Sequence, residues 1–291
     1  MNKQKQADLM LFIVTLFWGA SYLLIKISLD YMGEINLVAL RFSIGFILSF
    51  IIFYKRILKV DFKTVKYAMI LSSILFVDYI ILNYGIKYSS ITNAGFINSL
   101  TVIFIPVLSA VFLKQKPEKQ VMLGIFLCTI GIGLLTINGR FQMGFGDLMC
   151  MLNAVLYAAH IIITGKLTKG ADSVSLGVLQ LGFVGLYSTI FSFIFETPTL
   201  PPNFKCWISV IVLSIFCTAF AFVVQTTSQQ YTSASHTGLI FTLEPVFSAV
   251  IAFFFAGEVL TVRGYFGAVI LLAGVLLGEV DLKSLFNNIS N

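Results

Sequence analysis

The sequence predicts an all-α integral membrane protein of ten transmembrane helices, arranged as two inverted five-helix repeats. Three observations lead there. First, 58% of the 291 residues are hydrophobic and only 11% are charged, against about 45–50% apolar and about 25% charged in soluble domains. One soluble core cannot cover so much apolar surface with so few charges. A soluble enzyme, a disordered chain and a secreted disulfide scaffold are thereby excluded. Second, apolar runs long enough to cross a bilayer, about 20 residues each, recur along the whole chain. Third, the chain matches itself at offsets of 139 and 143 residues.

The spans follow in order, each bounded by charge, Gly or Pro. The first, 8–28, is too long for a cleaved signal. It holds Trp18 and Lys26 and is followed by no small-residue cleavage site, so it is expected to be retained. The second, 36–54, stops at Lys55 and Arg56. The third, 67–86, lies between the cluster Lys59, Lys63, Lys66 and Lys87. The fourth, 91–113, ends at Lys114-Gln115-Lys116-Pro117, and the fifth, 120–137, ends before Arg140. The sixth, 147–165, runs from Asp147 to Lys166. The seventh, 174–195, and the eighth, 206–228, flank the segment that holds Lys205. The ninth, 235–255, closes on Gly257-Glu258, and the tenth, 263–280, starts at Arg263.

Lys and Arg set the orientation, because cytoplasmic loops collect them. With the N-terminus inside, alternate loops hold 13 basic residues inside and 4 outside, with Lys26 and Arg41 inside spans. Both termini are therefore expected in the cytoplasm, with the chain in the cytoplasmic membrane. The net charge of +6 serves orientation and implies no nucleic acid. Cys128, Cys150, Cys206 and Cys217 lie within or beside apolar runs and have no metal-site spacing. No metal and no cofactor are expected. The tail sequon at Asn288 falls on the inner side and is read as chance.

The internal repeat carries the functional argument. At an offset of 143, Tyr88 meets Tyr231, Ser90 meets Ser233, Gly95 meets Gly238, Gly124 meets Gly267 and Gly131 meets Gly274. At 139, Asp8 meets Asp147, Trp18 meets Tyr157, Ser21 meets His160 and Arg41 meets Gln180. The halves divide as residues 1–143 and 144–291. Five spans is an odd number, so the second half enters the membrane from the opposite side. Inverted repeats of this kind are a signature of secondary transporters.

The stretch LEPVFSAVIAFFFAGEVLTVRGYFGAVILLAGVLLGE, Leu243 to Glu279, resembles the end of an EamA-type repeat. FWGASYLLIK (Phe17 to Lys26), LVALRF (Leu37 to Phe42) and TNAGFINSLTVIFIPVLSAVF (Thr92 to Phe112) resemble the same family's first repeat. The family belongs to the drug/metabolite transporter superfamily. The resemblance implies ten helices, a central cavity between the halves, transport of small metabolites and close packing of each half's last helix. Two departures stand out. The first half carries Lys114-Gln115-Lys116-Pro117 in place of Gly-Glu, and Pro106 falls a turn later than Pro245 does in the second half.

Ionisable groups inside a span are costly and mark function by default. Asp78 lies about 18 Å and Glu244 about 14 Å into their spans at about 1.5 Å per residue. Both are near the midplane of a core about 30 Å thick. Glu244 precedes Pro245, whose missing N–H should kink the helix. Pro245 and Pro106 are the candidate hinges. Thr237, Phe241, Glu244 and Ser248 share a face at helical spacing, as do Asn153, Tyr157, His160 and Thr164. Substrate-binding or coupling candidates are Asp78, Glu244, Trp18, Tyr157, His160, Gln225 and Asn98. The plainer role for each is a hydrogen bond that locks helix packing, and for Asn83 the same two roles stand open. Arg41 is deep enough to pair with Glu34 or to attract an anionic group, Lys26 is placed to snorkel, and Glu258 is expected as a cap or a partner of Arg263. His236 is expected at the interface. Glycines of the last span in each half, Gly124, Gly131, Gly133, Gly267, Gly274 and Gly278, are expected to pack helices.

The reading that follows is a secondary transporter of a small metabolite, an amino acid or organic cation, with export favoured and protons as the candidate coupling ion. Its partners are that substrate and membrane lipid, and it works as a monomer or homodimer. No phosphate-binding G-x-x-x-x-G-K-[ST] loop occurs and no catalytic constellation is found, so it is not read as an enzyme. The alternative is a flippase-like or accessory membrane subunit handling a lipid-linked group.

Overall fold

The structure, a computed structural model, describes residues 3–114, 119–136, 144–257, 259 and 261–279. Helices α1 (Lys3–Leu29), α2 (Glu34–Ile57) and α3 (Phe62–Tyr88) form the first three spans. The fourth is α4 (Ile91–Asn98) and α5 (Thr101–Leu108) with a π-helical turn at Ser109–Leu113, and α6 (Lys119–Thr136) follows. The second half opens with α7 (Phe145–Leu167) and α8 (Ser173–Phe195). Its third span is α9 (Phe204–Ser214), a π-helical turn at Ile215–Phe220 and α10 (Ala221–Ser228). Then come α11 (Ala234–Phe241), α12 (Glu244–Ala256) and α13 (Val262–Glu279). Among the described residues eight segments are long and apolar enough to cross a membrane, and α6 and α13 contain shorter apolar helices. Large apolar side chains such as Phe193, Phe254 and Phe266 point outward, as they do where a bilayer replaces water.

Side-chain caps start many of the helices. Asp61, Ser90, Asp172, Asn203 and Ser233 each accept a hydrogen bond from the backbone N–H three residues on. Ser90 and Ser233 are repeat mates, so the caps of α4 and α11 are one device used twice. Hydrogen bonds from the Thr64 hydroxyl and amide hold the Asp61 carboxyl below its usual range.

Backbone contacts carry the same relation. A Cβ built on Gly131 would lie 2.7 Å from the carbonyl oxygen of Gly267, and one on Gly274 would lie 2.8 Å from that of Gly124. Adding 143 to one partner and subtracting it from the other turns the first contact into the second. The contact of Gly95 with Ser248 and Pro245 turns likewise into that of Gly238 with Ile105 and Val102. A two-fold rotation relating five-span halves is the inverted arrangement. It pairs α6 with α13 and α2 with α8, and it sets α3 on α7 as α1 sits on α9 and α10. Gly133 has nothing within 4 Å of a built Cβ, so it stands outside the packing expected of it.

Both half-helix junctions are tightened turns at matching positions. Amides of Ser99, Leu100 and Ile103 bond carbonyls three residues back, and so do those of Thr242, Leu243 and Val246. The first half makes this junction with no proline in it. Pro106 lies beyond the junction, inside α5, whereas Pro245 stands at the start of α12.

One pairing expected at the helix ends is overturned. Glu34 forms its ion pair with Lys87, at 2.5 Å, and not with Arg41. The N-terminus of α2 is held by Glu196, whose carboxylate accepts the amides of Ile35 and Asn36 at 2.9 and 2.8 Å. Lys26 donates to the carbonyls of Ile86, Lys87 and Ser89 at 2.8–3.0 Å and closes the end of α3. Glu258 lies outside the described residues.

Candidate functional site

The halves meet around a small buried cavity of about 20 Å³, into which α1 puts Trp18, Ser21 and Tyr22, α3 puts Asp78 and Tyr79, and α4 puts Asn98. The second half adds Asn153 and Tyr157 from α7 and Glu244 from α12. The volume is close to that of a single water-sized sphere.

Asp78 and Glu244 are 1% and 7% exposed and lie within electrostatic reach of each other. Asn153 donates to the Asp78 carboxyl at 2.7 Å and to its backbone carbonyl at 3.1 Å. The Tyr22 hydroxyl lies within electrostatic reach of the Glu244 carboxyl and accepts from the Asn98 amide at 2.8 Å. Glu244 is the first residue of α12, at the end of that half-helix where the helix dipole favours negative charge. Asp78 therefore has a dedicated amide partner in Asn153, and Glu244 shares the cavity with the Asn98–Tyr22 pair.

Aromatic rings wall the space. Trp18 meets Tyr157 edge to face at 5.8 Å and Phe241 at 5.0 Å. Its indole N–H donates to the carbonyl of Cys217 at 3.0 Å. That carbonyl lies in the π-helical turn of the eighth span and also accepts Arg41 Nη2 at 2.9 Å. Arg41 Nε donates to Thr218 Oγ1 as well, and the guanidinium lies 4.8 Å from the centre of the Tyr79 ring. Arg41 thus stands behind Tyr79, one side chain removed from the cavity.

Of the sequence candidates, Asp78, Glu244, Trp18, Tyr157 and Asn98 come together here, while His160 and Gln225 are not in the lining. His160 stacks on Tyr157 at 6.0 Å and is bonded to Gln180. Gln225 is buried and bonded at 3.4 Å to Gln229. Asn83 donates to the carbonyl of Glu34 at 2.9 Å, a link between helices. Sequence reasoning missed Tyr22 and Tyr79 as site residues. Tyr22 lies one helical turn after Trp18, and Tyr79 adjoins Asp78; those spacings were the available signal.

Comparison with known proteins adds the family. The EamA-like transporter family matches residues 5–137 and again 144–278. The chain belongs to the EamA-like transporter family. A relative in Archaeoglobus fulgidus, named an uncharacterized transporter, is 30% identical over 94% of this chain and 86% of its own length. The uncharacterized transporter YyaM of Bacillus subtilis is 24% identical over 92% of both chains. One solved crystal structure superposes with a TM-score of 0.78 over 97% of this chain and 99% of that one, at 18% identity, a likeness of fold alone. As a member of the EamA-like family the chain is a multi-pass membrane transporter, with a small-molecule substrate and a lipid environment.

Proposed function

We propose that this EamA-like protein is a secondary transporter that exports a small amine-bearing metabolite, an amino acid or organic cation, across the cytoplasmic membrane. Both termini lie in the cytoplasm, on the side of the basic loops. Residues 1–143 and 144–291 are the two repeats, and exchange of their conformations moves the cavity's opening from one side to the other. Asp78 and Glu244 hold the substrate ammonium or a proton in turn, Trp18 and Tyr157 pack against its apolar part, and Asn98 orients Glu244 through Tyr22. His160 and Gln225 act outside the binding cavity; Pro245 at the junction of the ninth span, and Pro106 beyond the junction of the fourth, are the hinges.

The observation that carries this reading is the convergence of one carboxyl from each half on a single buried, aromatic-walled cavity. A carboxylate in so dry a place needs a positive partner or a proton. A passenger with an ammonium group satisfies that need and leaves when a proton replaces it.

The test uses purified protein in vesicles with an imposed pH gradient and a panel of labelled amino acids and organic cations. Wild-type protein is expected to drive at least one of them against its gradient. Glu244→Gln and Asp78→Asn are expected to lose the pH dependence. If both variants transport at the wild-type rate with the gradient's effect intact, the coupling role is wrong.

A further inference from the structure

The face of α7 that holds Asn153, Tyr157, His160 and Thr164 has a second property. All four side chains are at least nine-tenths buried, and each carries a polar atom with no hydrogen-bond partner: Asn153 Oδ1, Tyr157 Oη, His160 Nδ1 and Thr164 Oγ1. Native structures leave few buried polar atoms unpaired, and each one costs stability. Four in a row on one helical face, over roughly 16 Å at 1.5 Å per residue, form a line. It starts at the cavity, where Asn153 and Tyr157 stand in the wall. It ends at Thr164, two residues from Lys166, at the end of the molecule where Arg56 pairs with Asp172 and Lys63 approaches Gly170. Across from it, α10 presents Gln225, whose Oε1 is also unpartnered.

Two side-chain ties reach this face: Gln229 Nε2 donates to the carbonyl of Ile161 at 3.0 Å, and Gln180 forms a bridge. Gln180 Nε2 donates to Thr226 Oγ1 at 2.8 Å, and Thr226 in turn donates to the carbonyl of Phe222 at 2.7 Å. Gln180 Oε1 is then the acceptor toward His160 Nε2, at 3.2 Å, which puts the imidazole proton on Nε2 and leaves Nδ1 as the bare acceptor. One amide therefore ties α8 to both α7 and α10. Tyr157 stacks on the same imidazole and Phe222 meets its edge, so the ring plugs the line between two aromatic groups.

We infer that this face of α7 is one wall of the polar passage between the cavity and the lysine-rich end, and that the Gln180 bridge between His160 and Thr226 latches it shut. In the opposite state the wall is wet and its polar atoms find water, which accounts for their presence in an apolar helix. The latch uses neutral groups, so its opening exposes no buried charge. The inference rests on the transport reading above, but its test needs no substrate.

Cysteine is placed at Thr164, and separately at Ser214 on α9, buried with its hydroxyl bonded to the carbonyl of Val210, as a control. Labelling uses a membrane-impermeant methanethiosulfonate reagent in vesicles of both orientations, with wild-type labelling subtracted for the four native cysteines, all of which are buried. Combining Gln180→Ala with the Thr164 cysteine is expected to raise its labelling about fivefold to tenfold, the factor that loss of one buried hydrogen bond supplies. The rise should occur from the lysine-rich side only. Thr226→Val should act in the same direction, because it frees the Gln180 amide without touching His160. The control cysteine should be unchanged. No rise in either variant, a rise from the other side, or an equal rise at the control would overturn the latch. A failure to find transport in the vesicle assay would leave these labelling rates readable, so the two readings fail separately.

Discussion

Gly131 rests on the backbone of Gly267, so close that a Cβ at position 131 would stand 2.7 Å from that carbonyl oxygen. Backbone cannot move aside as a flexible side chain can. Gly131→Ala and Gly274→Ala are therefore expected to destabilise the protein by about 1–3 kcal/mol each, the usual cost of overpacking. Gly133→Ala, with open space around it, should have no such effect. Thermal unfolding of the three purified variants in detergent measures the difference, and equal midpoints for Gly131→Ala and Gly133→Ala would contradict the packing.

Trp18 and Arg41 donate to one carbonyl, that of Cys217. Trp18→Phe keeps the ring and removes one donor while Arg41 still serves the acceptor. Its expected cost is about 0.5–1.5 kcal/mol. Arg41→Met removes the bonds to both Cys217 and Thr218 and should cost about 1.5–3 kcal/mol. Denaturation of the two variants side by side gives the order, and a larger loss for Trp18→Phe would show that Arg41 does not hold the π-helical turn.

The Asp61 cap sets an acid limit on one helix start. Hydrogen bonds to Thr64 lower its titration in the folded state, so the folded state favours the ionised carboxyl. That contribution is complete above the ordinary carboxylate range and is lost as pH falls through the lowered value. Hydrogen exchange at the Thr64 amide should accelerate over that acid window beyond its intrinsic rate, and Asp61→Asn should abolish the added pH dependence. An unchanged profile in Asp61→Asn would assign the effect to another group.

Much of the fold was legible because lipid simplifies the code: a span is a length of apolar residues, and charges bound it. The apolar segments and the two buried carboxyls within them follow from that, and the repeat follows from the offsets of 139 and 143. What a helical period does not tell is which neighbour a face meets. His160 shares its face with Tyr157, yet a partner on α8 takes its Nε2 away from the cavity. Arg41 was within chain reach of Glu34, but Lys87 occupies Glu34 first, and the guanidinium turns to the eighth span. The π-helical turn at Ile215–Phe220 has no sequence mark, since it comes from an extra residue in the register and not from Gly or Pro. The junction after Asn98 lacks a proline as well and is read only against its mate before Glu244.

The paired glycine contacts between α6 and α13 have an energetic consequence. The proposed exchange of conformations between the halves would carry the Gly131 contact onto the Gly274 contact and back again. The backbone part of these contacts, glycine on a glycine carbonyl, is the same before and after, while the side-chain part differs, because Gly131 meets Leu271 where Gly274 meets Cys128. Any preference for one facing over the other has to arise where the halves differ, as where Arg41 stands opposite Gln180. The thermodynamic direction of the resting state is thus written in the side chains that the repeat does not match, and the glycine backbone contacts are silent about it.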